Sequence, residues 1–598
     1  MKGNWGRILR VNLSENESRE EELPPDVIGG KDLASRFLLP LSPELDPLSP
    51  ENPFIVATGP FSGTGFPGSS RFGAFFKSPL TEIFGESYCG GSFAPELKKT
   101  GYDGIIITGK AEKPVYLWIH EGGVEIRDAS HLWGKDAWET EDELKRELGK
   151  CEVLTIGIAG ENLVRFANVA HRKGRQLGRT GAGAVMGSKK LKAIAVRGEK
   201  EVEVANEERI ERLKEEVIEK SREVHRAISE FGTPNILAVS HNAGALPTNY
   251  WKDGALENLD ALSAETLKKR YFRRKTTCYA CPTACGKYSV IDSGKFAGTE
   301  VEGPEYETLY ALGSLCGVED AEAVIKANEL CDRFGIDTMT AGNTIAMVMY
   351  LMEKGALSEK DVGLRITFGD SEGMLRLIEM ISKREGFGDI LAEGSYRASM
   401  KLGEEAKKAV IHVKGLEPAA YDPRALKGMA LAYAVASRGA CHLRHMVYRP
   451  NLTGKHPFDP EKSVNRLSYD QAEIVKELED FYALTSSLLM CNFWCLPTVG
   501  PVLWNELKEA YESITGVQID MGEFKELGAK INDRVREFNV KCGVNREKDT
   551  LPERFFTEPL GRGASSGEIV EREKFEKMLS EYYALRGWNE RGIPKRVS

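Results

Sequence analysis

No stretch of the 598-residue sequence reaches the roughly 18 uninterrupted apolar residues that a membrane span requires. The longest candidate, around Ile345 to Met352, is short and flanked by Asn343 and Glu353. An excess of positive charge is also lacking. The 81 Lys and Arg face 90 Asp and Glu, a net charge of −9, and no nucleic-acid motif occurs, so nucleic acid is not expected as the main partner. The opening MKGNWGRILRVNLS carries charge and glycine where a secretory signal would carry an apolar run, which points to a cytoplasmic protein. Histidines number only nine, none between His241 and His412. Cysteines number 11, an odd count that favours reduced or metal-bound thiols over a disulfide framework. Repeats of fixed period and low-complexity tracts are absent as well.

What is present is a long globular chain, too large for one core. Short runs of Val, Ile and aromatic residues punctuated by Gly, Pro and Asp read as sheet: NPFIVATGP at 52–60, GIIITG at 104–109, PVYLWIH at 114–120, VEIRD at 124–128 and AIAVRG at 193–198. The texture changes near residue 205. From Asn206, Ile210, Leu213, Val217, Val224 and Ile228 share a helical stripe, with Asn206 as N-cap and Glu207 and Glu208 in the first turn. Further helical patterns begin at Ala321, Thr340, Glu372 and Ala472. The expectation is an α+β protein: a β-rich N-terminal domain over 1–205 and two mostly α-helical domains over 206–415 and 416–598.

Three cysteines fall within eight positions in TTCYACPTACGK, spaced Cys278-x2-Cys281-x3-Cys285. A structural zinc site draws on a second local pair or a nearby histidine pair, and neither is close in sequence. Four thiolates around an iron–sulfur cluster fit better, three local and one remote, with Cys491 or Cys495 of LLMCNFWC as the fourth. Zinc remains the alternative from spacing alone. Two glycine-rich loops, SGTGFPGSSRFG and GRQLGRTGAGAVMGSKK, could present backbone N–H groups to phosphates, though neither is a Walker motif.

Those stretches, with GNWGRILRVNLS, TGYDGIIITGKAEKPVY, EGPEYETLYALGSLCG and YDPRALKGMALAYAVASRGACHLR, together resemble the tungsten-containing aldehyde ferredoxin oxidoreductase family, in order and over nearly the whole chain. The resemblance implies a tungsten bis-pyranopterin, a magnesium ion bridging the pterin phosphates, and one [4Fe–4S] cluster on Cys278, Cys281, Cys285 and Cys491. It implies Arg71 between cofactor and cluster, and Gly183 and Ala184 at the phosphate end. The family's paired pterin motif, D-x-x-G-L-(C/D), appears once as DRFGID, giving Asp332, Gly335 and Asp337. The second copy reads SSLLMC, with Ser486 in place of the aspartate and Leu489 in place of the glycine.

The family's active-site glutamate maps most closely to Glu305, with Glu307 the other carboxylate of GPEYET. Its histidine maps to His442, with His445 the alternative, and Tyr421 matches a tyrosine of the formaldehyde branch. The implied activity is oxidation of an aldehyde with water to a carboxylic acid, with electrons passing to ferredoxin or a small iron–sulfur subunit. A homodimer or heterodimer is compatible with it. The runner-up is the tungsten subunit of a reductive complex of the benzoyl-CoA reductase type. The basic run KKRYFRRK at 268–275 is a candidate docking patch for an acidic carrier.

Overall fold

The computed structural model describes residues 2–595. Its N-terminal third holds twelve strands: β1 (Arg7–Asn12), β2 (Glu17–Glu22), β3 (Phe54–Ala57), β4 (Phe72–Lys77), β5 (Phe84–Cys89), β6 (Gly104–Thr108), β7 (Val115–His120), β8 (Gly123–Asp128), β9 (Glu152–Thr155), β10 (Val169–His171), β11 (Arg175–Leu177) and β12 (Leu191–Val196). They form two six-stranded sheets, ordered β2-β1-β6-β3-β4-β5 and β11-β10-β9-β12-β7-β8.

Period-two alternation decides which face each residue covers. Leu9, Val11, Phe54, Val56, Phe72, Ala74, Phe76, Ile105 and Ile107 meet Leu117, Ile119, Leu154, Ile194 and Val196 in one core between the sheets. The alternate residues Ile8, Ile55, Phe75 and Ile106 pack outward against α1 (Gly30–Leu38), and against Val535 and Phe538 of a helix from the far end of the chain. The first sheet is thus buried on both faces, which ties the C-terminal region to the N-terminal one.

Beyond β12 the chain is mainly helical, as the composition implied. The site rests on α2 (Glu207–Val224), α3 (Ala321–Phe334), α4 (Thr338–Glu353) and α5 (Ala472–Leu488). Asn206 caps α2 through Arg209 N–H at 2.9 Å. The stripe expected to run unbroken to Ile228 is interrupted at His225, where a separate helix of Arg226–Phe231 begins. The His225 ring spans Thr283 Oγ1, 2.9 Å from Nδ1, and the Phe493 carbonyl, 2.8 Å from Nε2. A small antiparallel sheet also stands inside this helical region: β13 (Phe272–Thr276), β14 (Gly286–Val290) and β15 (Glu300–Glu302) in that order, with the three clustered cysteines in the β13–β14 connection. No described helix is long and apolar enough to cross a membrane.

Candidate active site and cluster socket

A cavity of about 300 Å³ opens where the sheets meet the helical region, among Arg71, Cys89, Arg175, Gln176, Cys285, Glu305, Glu307 and His442. Residue 71 leads into β4, Cys89 ends β5 and residues 175–176 open β11, so sheet edges supply one wall. Tyr306, Tyr421 and Tyr448 build another. The Tyr421 and Tyr448 rings stack with centroids 4.0 Å apart and 14° between planes, and His442 lies 5.7 Å from the Tyr421 ring. Tyr448 belongs to no motif that the sequence offers.

The two carboxylates of GPEYET face different neighbours. Glu305 is half-buried, accepts a hydrogen bond from Thr233 Oγ1 and faces the cysteine side, where its charge bears on Cys285. Glu307 accepts the Ala420 N–H at 3.0 Å with one oxygen and directs the other to within 3.4 Å of His442 Nε2. Burial pushes the Glu307 carboxyl up to about 8; the Ala420 N–H and Arg179 oppose that, while Cys441 and Asp337 add to it. Burial, with Arg438 and Arg179 beyond it, holds the His442 imidazole well below its ordinary value. At neutral pH the pair is therefore a protonated carboxyl facing a neutral imidazole, an arrangement suited to moving one proton. His442, expected from the family resemblance, lines the cavity. The carboxyl beside it is two residues on from Glu305.

His445, the alternative histidine, is fully buried, accepts the Val447 N–H at Nδ1 and does not line the cavity. Between the two lies Arg444, whose Nη1 donates to Glu86 Oε2 at 3.2 Å and to Ser486 Oγ at 3.0 Å. Glu86 is fully buried; burial raises its carboxyl, but Lys31, Arg444 and Arg438 outweigh that and hold it well below the usual carboxylate range. A serine replaces the motif's aspartate next to a carboxylate that already serves these cations.

The two pterin motifs occupy matching places at helix ends. Gly335 follows α3 at φ 78° and Leu489 follows α5 at φ 58°, both left-handed, with Asp332 and Ser486 three residues earlier in each case. Asp332 accepts from Gln176 Nε2 at 3.0 Å and Asn328 Nδ2 at 2.8 Å, and burial raises its carboxyl well above the ordinary value. Asp337 caps α4 and is ion-paired to Arg179 at 2.9 Å. Gly183 and Ala184 lie off the cavity: a Cβ at 183 would strike the Asn168 carbonyl at 2.3 Å, so smallness there serves close backbone packing. Ser486 and its neighbours press equally hard on α1, where a Cβ at Gly30 would come within 2.3 Å of the Ser486 carbonyl.

Leu489 carries a branched side chain where glycine suits the backbone, a conformation costing about 1–2 kcal/mol. Its side chain is fully buried, and removing such a leucine costs about 2–5 kcal/mol. Packing wins, so Leu489→Gly is expected to lower the melting temperature in scanning fluorimetry. A rise would mean that backbone strain is the larger effect.

The four cysteines named from the sequence come together. Burial raises Cys285, with Cys278 and Cys491 adding to the shift; burial likewise raises Cys491, with Cys281 and Cys278 adding. Cys495, the alternative fourth ligand, is raised by burial and by Cys491, with no contribution from the clustered three. Gly91 N–H points to Cys278 Sγ at 3.2 Å and Trp494 Nε1 to Cys281 Sγ at 3.4 Å, donors of the kind that stabilise thiolates.

Among the described residues no three His, Cys, Asp or Glu side chains converge tightly enough to hold a single ion. A set of three local thiols and one remote one suits an iron–sulfur cluster. The cavity also fits a polar cofactor. Arg71 Nε, Gln176 Oε1, Glu307 Oε1 and His442 Nδ1 are buried around it without a hydrogen-bond partner among the described residues, and unsatisfied groups in such number mark a missing polar ligand.

Residues 8–198 match the family model for the aldehyde ferredoxin oxidoreductase N-terminal domain, and residues 209–597 that for domains 2 and 3. The chain belongs to the aldehyde ferredoxin oxidoreductase family. It is 39% identical to the tungsten-containing aldehyde ferredoxin oxidoreductase of Pyrococcus furiosus, over 100% of this chain and 98% of that protein. It is 30% identical to the WOR-like subunit of the aliphatic sulfonate oxidoreductase of Pyrococcus furiosus, over 99% of this chain and 95% of that one. Among solved structures, the active site complex BamBC of benzoyl coenzyme A reductase with 1,5-dienoyl-CoA superposes with a TM-score of 0.85 at 26% identity, covering 99% of this chain and 96% of that chain. The α+β architecture is thus shared with a solved structure whose name describes a different reaction.

Proposed function

We propose that the chain oxidises an aldehyde with water to the carboxylic acid, releasing two protons and two electrons, and passes the electrons through a [4Fe–4S] cluster to ferredoxin. The observation that carries this reading is the Glu307 carboxyl set 3.4 Å from His442 Nε2 in the wall of a cavity that Cys285, one of the four thiols, also lines. A tungsten bis-pyranopterin, when bound, supplies the two-electron oxidation. Arg71, which lines the cavity, would hold it together with Asp332, Gly335, Asp337 and Ser486 from the two helix ends, with Gly183 and Ala184 shaping the backbone and magnesium as part of the same cofactor. Cys278, Cys281, Cys285 and Cys491 would hold the cluster. In this division of labour residues 1–205 cradle the pterins, 206–415 bring three cysteines and the first motif, and 416–598 bring the fourth cysteine and the second motif, in a cytoplasmic enzyme.

Glu307 carries its proton at neutral pH, so its hydroxyl can donate to the aldehyde oxygen and make the carbonyl carbon more electrophilic. His442, uncharged, can accept the proton that water loses as it adds. Tyr421, stacked on Tyr448, forms the flat wall that orients the substrate. Glu305 lies towards the cysteines and is assigned the electrostatic environment of the cluster instead of the proton transfer.

Metal analysis of anaerobically purified protein, combined with aldehyde-dependent reduction of a viologen dye, tests the reading. The expected result is about one tungsten and about four iron per chain, with turnover. Full loading without turnover of any aldehyde would favour a second reading, the tungsten subunit of a reductive complex. The likeness to the benzoyl coenzyme A reductase complex and the stacked tyrosine wall, suited to a planar ring, support that alternative. Co-purification of an iron–sulfur subunit would mark it.

A further inference from the structure

The connection between β13 and β14 reaches the surface. Cys278 and Cys281 are half-buried, and Thr277, Ala280 and Pro282 are exposed. Beside this connection lies a cleft of about 670 Å³, walled by Trp138 and Tyr288 and rimmed by Arg172, Lys173, Arg274 and Lys275, while the carboxylates in its lining, Glu300, Glu302 and Glu329, are engaged by Tyr288, Arg175 and Arg333. Arg172 reaches to 3.5 Å of the Thr277 carbonyl, and the Arg274 guanidinium lies 4.2 Å over the Tyr288 ring.

Half of the basic run seen in the sequence is neutralised in the fold. Lys268 pairs with Glu230, Arg270 with Glu322 and Arg273 with Asp292. Arg172, Arg274 and Lys275 differ, because none has a carboxylate within ion-pair distance among the described residues: Lys275 donates to Ser229 Oγ at 3.0 Å, and Arg172 lies 3.5 Å from Ser92 Oγ. In a chain of net charge −9, three uncompensated exposed cations gather beside a surface loop that carries three of the four thiols assigned to the cluster. β13 is moreover the edge of its sheet, with Arg273, Arg274 and Lys275 exposed.

We propose that this cleft and the β13 edge dock an acidic one-electron carrier protein, whose contact patch is centred on Arg172, Arg274 and Lys275. The proposal rests on the reading of the cysteines as a cluster socket. Each docking event moves one electron from the reduced cluster to an oxidised acidic iron–sulfur protein, so two events discharge the two electrons of one substrate oxidation. Steering by uncompensated charge acts over about 10 Å at 0.1 M salt and raises the encounter rate.

The test uses loaded full-length protein carrying Arg172→Gln, Arg274→Gln and Lys275→Gln together, with circular dichroism and iron content as checks on folding. Binding is measured with a redox-inert, gallium-substituted acidic ferredoxin, and turnover with native ferredoxin and with methyl viologen. Binding to the wild type is expected to weaken as salt rises. The triple variant should bind about tenfold more weakly, lose most of that salt dependence and show the same rise in KM for ferredoxin, with viologen reduction unchanged. Unchanged ferredoxin binding, or equal losses with carrier and dye, would overturn the proposal. Should the triple variant fail to fold, Lys275→Glu alone decides by the same two readouts. The binding arm needs no turnover: salt-dependent binding in a protein that oxidises no aldehyde would sink the activity and leave the docking face standing.

Discussion

Glu307→Gln is expected to lower kcat by about 100- to 10,000-fold, the usual worth of a positioned proton donor, while leaving iron and tungsten content intact. Gln keeps the shape and the acceptor for Ala420 N–H but has no proton to give. The same substitution at Glu305 should cost far less, because that side chain is engaged with Thr233 on the cysteine side. If the two variants exchange ranks, the proton transfer belongs to Glu305.

The pH dependence follows from the raised carboxyl. Because the Glu307 pKa is displaced upward from 4.5 to about 8, the donor form persists through neutrality, and the wild-type rate should fall as pH rises through about 8. Linkage sets a second sign. Between about 4.5 and 8 the folded chain keeps a proton that the unfolded chain releases, so stability declines with rising pH in that window and levels off above it. The groups bearing on Glu307 from neighbouring elements are Arg179, Cys441, Asp337 and His442, and all are unchanged in the variant. Glu307→Gln should therefore flatten this part of the stability profile, a readout that does not require turnover.

Cys285→Ser is the second substitution with a large expected effect. Iron should fall from about four per chain towards none, and the visible absorption of the cluster with it, while ferredoxin reduction is lost. Cys89→Ser is the informative control. Cys89 is buried, lines the same cavity and lies close enough to Cys278 to feel its charge, yet it stands outside the four-thiol set. Retained iron in Cys89→Ser together with loss in Cys285→Ser would support the ligand assignment. The reverse pattern would mean that β5 supplies a ligand.

Much of this was legible before any coordinates. The Val- and Ile-rich runs became β3, β6, β7 and β12, whose residues alternate between buried faces, and β8, a half-exposed edge strand, and Asn206 does cap α2. The β4–β5 pair gives no such signal, because the start of β4 is the RFG that closes the glycine-rich loop SGTGFPGSSRFG. The sheet around the cysteines was hidden for a different reason: β13 is short, charged and half-exposed, so it carries no apolar alternation to read.

Spacing brought out three clustered cysteines and the family resemblance added Cys491 and His442, but neither could say which of two glutamates faces the histidine. Residues 305 and 307 flank a helix start at Tyr306, where neither the strand nor the helix period assigns a face. Tyr448 gave no signal at all. Its role comes only from stacking on a residue 27 positions away.

The break at His225 has a consequence for how the protein matures. One ring joins the segment of Thr283 to that of Phe493, and Trp494 packs edge-on against it with centroids 5.0 Å apart. Two stretches some two hundred positions apart are thereby bolted together by protein alone, on either side of the thiols. The empty polypeptide should hold a finished receptacle, so that loading resembles filling a mould, and cluster-free protein taken from the cell should accept iron and sulfide without first unfolding.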